Sequence, residues 1–197
     1  MSARTLPADR GASLVEVVIV MAVIVSMVGA AAPGAAAAVD SRRVRQAAGL
    51  VAGRLRAAKQ FAVYRGASVG LMFAEIAGRW TFRVCTDGNG NGLRRAEVDA
   101  GTDVCTEGPF DLERMFPGVH VQSDAGIRGP DGEAGSPDPV RFGKSDLASF
   151  SPDGGCTPGS LFLRSADGVQ WVVRVAGVTG RTRVLRYDPP ARAWREG

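Results

Sequence analysis

Residues able to do chemistry fall in four places along the chain. Asp87-Gly88-Asn89-Gly90-Asn91-Gly92 puts side-chain oxygens at positions one, three and five, then a glycine at six. That is the start of a calcium loop, in which a hard cation takes carboxylate and amide oxygens around a sharp turn. Position twelve, where a bidentate acid belongs, is Val98, with Glu97 and Asp99 on either side of it and Asp103 beyond. A metal reading therefore needs Asp87, Asn89, Asn91, Glu97 and Asp99 on a different loop path. The competing reading is a Gly/Asn turn selected for positive φ. The second place is the arginine series Arg181, Arg183 and Arg186, in a segment, Ser160 to Gly197, with seven arginines against three acids. Guanidinium forks suit bidentate phosphate contacts, and closely spaced ones can track a nucleic-acid backbone. In a strand Arg181 and Arg183 share a face and Arg186 takes the other. Tyr187 and Trp194 are the neighbouring candidates for stacking. The competing reading is a solvated edge strand whose charges prevent edge-to-edge association. The third place is the set of cysteines, Cys85, Cys105 and Cys156.

The fourth is Glu16, alone in an apolar run from Val15 to Ala32. A run of that length can span a bilayer. A charge at that depth costs about 2.5–3.5 kcal/mol on insertion scales, so the carboxylate needs a partner. A secretory signal competes, since Arg4 and Arg10 precede the run and Ala35 to Ala38 offers a small-residue cleavage site. A signal's apolar region is shorter, about 7–15 residues, and has no use for an acid near its start. Enzymatic readings find little support. His120 is the single histidine and lies between Val119 and Val121, so it reads as structural. No Ser/His/Asp order or metal-ligand cluster occurs, and Gly88-Asn89-Gly90 lacks the following lysine of a phosphate loop. The chain is read as a non-enzyme, with calcium at the Asp87 loop as the one cofactor to be considered.

The elements that must position these residues follow from periodicity. Past Pro33, the series Val39, Val44, Ala47, Ala48, Leu50, Val51, Leu55, Ala58, Phe61 and Ala62 recurs at helical spacing. Arg42, Arg43, Arg45, Arg54, Arg56 and Lys59 interleave with it, and the pattern ends near Tyr64-Arg65-Gly66. An apolar anchor thus passes into an amphipathic helix with an arginine-rich face. Pro33 kinks the axis rather than ending it. After Gly66 the period changes to that of strands. Ser68–Phe73 and Arg79–Val84 form a predicted hairpin around Gly78. Further strands are predicted at Val119–Val121, Val140–Phe142, Leu161–Arg164, Trp171–Val175 and Thr182–Tyr187, with a Gly/Pro/Asp-rich mobile loop between Ser123 and Asp138. Of 197 residues about 160 follow the anchor, the size of one domain. A net charge of +4 does not by itself announce nucleic-acid binding.

Gly11-Ala12-Ser13-Leu14-Val15-Glu16, followed by Val17-Val18-Ile19-Val20, resembles the class III signal of type IV pilins and pseudopilins. The resemblance implies cleavage by a prepilin peptidase after Gly11 and N-methylation of the new terminus at Ala12, where the family more often has an aromatic residue or Met. Glu16 then falls fifth in the mature chain, where the family places its acid, and Pro33 falls twenty-second, at the family's helix kink. The implied partner of Glu16 is the amino terminus of its own subunit or of a neighbour in a filament. The order of elements, with a closing Gly-Arg strand, resembles the GspH/FimT branch. Gly180-Arg181-Thr182-Arg183-Val184-Leu185-Arg186 is similar to the GRxRxxR pattern of its DNA-binding minor pilins.

The implied fold class is α+β: the type IV pilin fold, a long N-terminal helix packed on an antiparallel β-sheet domain. The implied divisions are a leader at 1–11, a membrane and filament-core helix at 12–33, an amphipathic continuation at 34–65 and a β-rich periplasmic domain at 66–197. The expected protein is a minor pilin or pseudopilin of a type IV pilus or a type II secretion pseudopilus. Its expected partners are the prepilin peptidase, other pilins and the inner-membrane assembly platform. It sits in the inner membrane before assembly. One alternative is a DNA-binding minor pilin for DNA uptake; another is an anchored single-pass protein that never assembles. Outside the cytoplasm disulfides persist. Cys85 and Cys105, which bracket the calcium-like loop, are then the natural pair, although three cysteines allow three single bridges and all three can stay reduced.

Overall fold

The computed structural model describes the backbone of residues 13–197 and the side chains of that range except residues 28–38. Gly11 and Ala12, the expected cleavage and methylation positions, and the side chain of Pro33 lie outside the described residues. The elements run α1 (Leu14–Arg65), β1 (Val69–Ile76), β2 (Arg79–Thr86), α2 (Arg95–Ala100), β3 (Val104–Asp111), α3 (Leu112–Met115) and β4 (Val119–His120). They continue with β5 (Val140–Arg141), β6 (Leu147–Phe150), β7 (Gly159–Ser165), β8 (Gln170–Val175), β9 (Thr182–Asp188) and β10 (Ala193–Glu196). The architecture is α+β with antiparallel sheets. The chain divides into two compact units, Met1–Ala38 and Val39–Gly197.

In the first unit the described side chains are those of residues 13–27, and every one is exposed. Leu14, Val15, Ile19, Met21, Val25 and Met27 are each more than half accessible, and Glu16 is exposed among them. Among the described residues no helix is long and apolar enough to cross a membrane. The expected span reaches Ala32, so its last turn falls on residues whose side chains lie outside the description.

In the second unit α1 buries one stripe, Val44, Ala47, Ala48, Val51, Ala52, Leu55, Ala58 and Ala62, against the sheets. Those steps of three and four place side chains on one helix face. Most are alanine, which lets the helix approach the sheets closely. Two residues expected in the stripe lie off it: Val39 is 43% exposed and Phe61 is 49% exposed. Phe61 instead lies under the Arg65 guanidinium, 5.7 Å from its ring centroid. Gly66, at φ 64°, follows the last helical residue in the left-handed conformation that ends helices.

One sheet has the order β3-β2-β1-β6, the other β10-β9-β8-β7-β4, with β5 also on β7. The β1–β2 hairpin turns at Ala77 and Gly78, both at positive φ, which suits a tight two-residue turn. Phe73 and Phe82 of the first sheet, Leu161, Leu163, Trp171 and Val173 of the second, and Phe142 join the α1 stripe in one core. Phe73 and Phe142 stack at 5.5 Å. The predicted strands are all present, while β3, β6, β10 and the two short helices lay outside the sequence reading. Segment 121–139, where a Gly/Pro/Asp-rich loop was expected, carries no strand or helix and makes side-chain contacts with the sheet region. Arg141 donates to Ser123 Oγ and Ser136 O, Arg174 pairs with Asp131, and Trp194 Nε1 donates to Arg128 O.

Candidate functional site

The Asp87 loop is built from carboxylates that collect backbone donors. Asp87 Oδ1 accepts from the N–H groups of Asn89 and Gly90 at 3.0 and 2.8 Å, and Oδ2 from that of Gly92 at 2.7 Å. Asp103 closes the loop from the other side, accepting from Gly88 and Arg94 N–H at 3.0 and 2.9 Å. Burial pushes the Asp87 carboxyl up, but the N–H groups of Gly92, Gly90, Asn89 and Asn91 outweigh it and hold the group below its ordinary value. Gly88 is obligatory, since a Cβ there would stand 2.1 Å from Thr102 O. Asn89 and Asn91 donate through their amides to Glu97, and Asn89 Oδ1 accepts from Asn91 N–H.

The five expected calcium ligands are therefore not gathered as a coordination set. Asp87 turns its oxygens to backbone N–H groups, Glu97 accepts from the two asparagines, and Asp99 is exposed on α2 outside the network. Among the described residues no group of three or more His, Cys, Asp or Glu is placed to hold a metal. Cys85 and Cys105 face each other across β2 and β3 and form a disulfide at the base of this loop. Cys156 is free and partly buried. His120 is exposed, with Nδ1 3.9 Å from Glu113.

The arginine series forms a more open site. Arg181, just before β9, and Arg183 within it line a cleft of about 340 Å³ with Arg45, Gly49 and Arg56 of α1. A second groove of about 890 Å³ shares Arg56 and Arg181 and adds Lys59, Val63 and Tyr64. Arg56 donates to Thr182 O at 3.2 Å and Lys59 to Thr179 O at 2.6 Å, which pins the β8–β9 connection to the helix. The one acid in the lining, Glu196, accepts from Arg183 Nε at 3.2 Å. Five cationic side chains thus border one surface. Arg186 is not among them: it lies three residues from Arg183, with opposite strand parity, and its register partners are Trp171 and Arg195. The contribution of Arg45, Arg56 and Lys59 was not foreseen. Their spacings of eleven and three residues, which return to one helix face, were the available signal.

Glu16 has exposed apolar neighbours at Ile19 and Val20, one turn along α1. No protein-family model, curated protein or solved structure matches this chain.

Proposed function

We propose that the chain is a minor type IV pilin or pseudopilin, processed by prepilin peptidase and assembled through the first half of α1. The observation that carries this reading is the exposed helical surface from Leu14 to Met27, apolar but for Ser26 and with Glu16 as its single charge. Such a surface is stable in lipid or among other apolar helices, and not in water. A lone carboxylate within it costs free energy unless a cation neutralises it. The amine created by cleavage before Ala12, four residues earlier in the sequence, supplies that cation in the same or a neighbouring subunit.

The test is Glu16→Leu in the full chain, co-expressed with an assembly system. The variant is expected in the membrane fraction, cleaved like the parent, and lost from sheared filaments. Filament incorporation equal to the parent would count against the charge-pairing role.

A second reading, DNA binding, is favoured by the five cations of the α1–β9 surface. It predicts salt-sensitive duplex binding that is lost in the Arg181→Gln/Arg183→Gln double variant. Absence of binding by the parent chain at low salt would refute it.

A further inference from the structure

Near the C-terminal end of β9 lies a cleft of about 790 Å³ whose lining shares no residue with the α1–β9 arginine surface. Its lining includes Arg128, Gly129, Pro130, Tyr187, Arg192 and Trp194, and it contains no acid. Tyr187 and Trp194 are cross-strand partners on β9 and β10, with ring centroids 5.3 Å apart at an interplanar angle of 61°. Trp194 also packs against Phe162, with centroids 6.1 Å apart at 63°, and its Nε1 donates to Arg128 O at 2.8 Å. The indole is thus fixed in place by contacts that leave part of it accessible. Arg128 and Arg192 make no ion pair or side-chain hydrogen bond among the described residues. Arg192 also holds φ at 47°, in the β9–β10 turn where Gly or Asn would sit without strain. A bulky residue kept in that conformation, at the rim of a cleft, points to a use for its side chain.

Two aromatic rings beside two guanidiniums unpaired among the described residues suit a flat ring that carries an anion. The rings supply a stacking surface and the arginines take the charge. A neutral glycan would use the rings but leave both cations without a counter-charge, and a duplex hides its bases from the rings. The geometry points to a nucleotide site in the Tyr187–Trp194 cleft, with the base against the aromatic pair and the phosphate on Arg128 and Arg192. Its source is a single-stranded nucleic acid or a free nucleotide. Its lining shares no residue with the α1–β9 arginine surface, and it does not depend on filament assembly.

The test uses the full chain in detergent micelles, with fluorescence anisotropy of a labelled twelve-nucleotide single strand at low salt. Unlabelled AMP, a blunt duplex of the same length and a neutral chito-oligosaccharide serve as competitors. Arg128→Gln and Arg192→Gly are expected each to weaken single-strand binding roughly tenfold. Arg192→Gly should also keep or raise the melting temperature, because glycine relieves the positive φ. A purely structural role for Arg192 would lower stability and leave affinity alone. Competition by AMP at millimolar concentration assigns the site to free nucleotides; competition only by single strands assigns it to nucleic acid. The proposal is overturned by no binding, by binding that Arg128→Gln and Arg192→Gly leave intact while Arg181→Gln/Arg183→Gln abolishes it, or by displacement with the neutral oligosaccharide alone.

Discussion

Asp87 shows how one side chain can set the shape of a loop. Its carboxylate replaces the peptide carbonyls that the N–H groups of Asn89, Gly90 and Gly92 lack, so removing it strands three donors in a partly buried turn. Asp87→Ala is expected to lower unfolding free energy by about 1–3 kcal/mol, read by chemical denaturation, with the secondary structure of the folded state unchanged. The pH dependence follows from the same bonds. The folded carboxyl is held below its ordinary value, so its contribution is complete above about pH 4 and is lost as pH falls through the folded value. The parent should therefore lose stability relative to Asp87→Ala on acidification, and parallel pH profiles would remove the account of the loop. The spacing of Asp, Asn and Gly was legible as a tight oxygen-rich turn. What filled it was not, because a cation and a set of backbone N–H groups ask for the same oxygens.

At the scale of elements, the end of α1 at Arg65 is the most legible boundary. The switch from steps of three and four to alternation at Gly66 marks where the helix stops and β1 begins. The exact stripe was less legible. Phe61 looked like core because it is large and apolar, yet position 61 falls outside the face set by Leu55, Ala58 and Ala62. This separates two substitutions of similar chemistry. Leu55→Ala should cost about 2–5 kcal/mol, since Leu55 is fully buried. Phe61→Ala should cost well under half of that, since the ring is half exposed and touches Arg65. Denaturant midpoints of the two variants test the orientation of the helix; equal losses would mean that the face is wrongly assigned. Of the strands missed by pattern, β6 is buried at three of its four residues but is too short to show a period, while β3 and β10 have little to bury. β3 is an edge strand with mostly exposed residues, and β10 exposes three of its four. The arginine surface was hidden for a different reason: Arg45, Arg56 and Lys59 stand more than 100 residues from Arg181, and only the packing of helix on sheet brings them together.

For the molecule as a whole, the two compact units have opposite surface chemistry. Residues 39–197 bury a continuous aromatic and aliphatic core, closed by a disulfide and capped by polar turns. The described side chains of the first unit bury nothing and present valine, isoleucine, methionine and leucine on all sides. An apolar surface of this extent is stable in another apolar medium, and under the proposed function a positive charge there offsets the cost of the Glu16 carboxylate. The proposed cleavage after Gly11 provides both the exposed helix start and the amine. The measurement that addresses this most directly is the intact mass and N-terminal sequence of the full chain co-expressed with a prepilin peptidase. A terminus at Ala12 carrying one added methyl group is the expected result. An unprocessed Met1 terminus, or a cut after Ala38, would contradict the account.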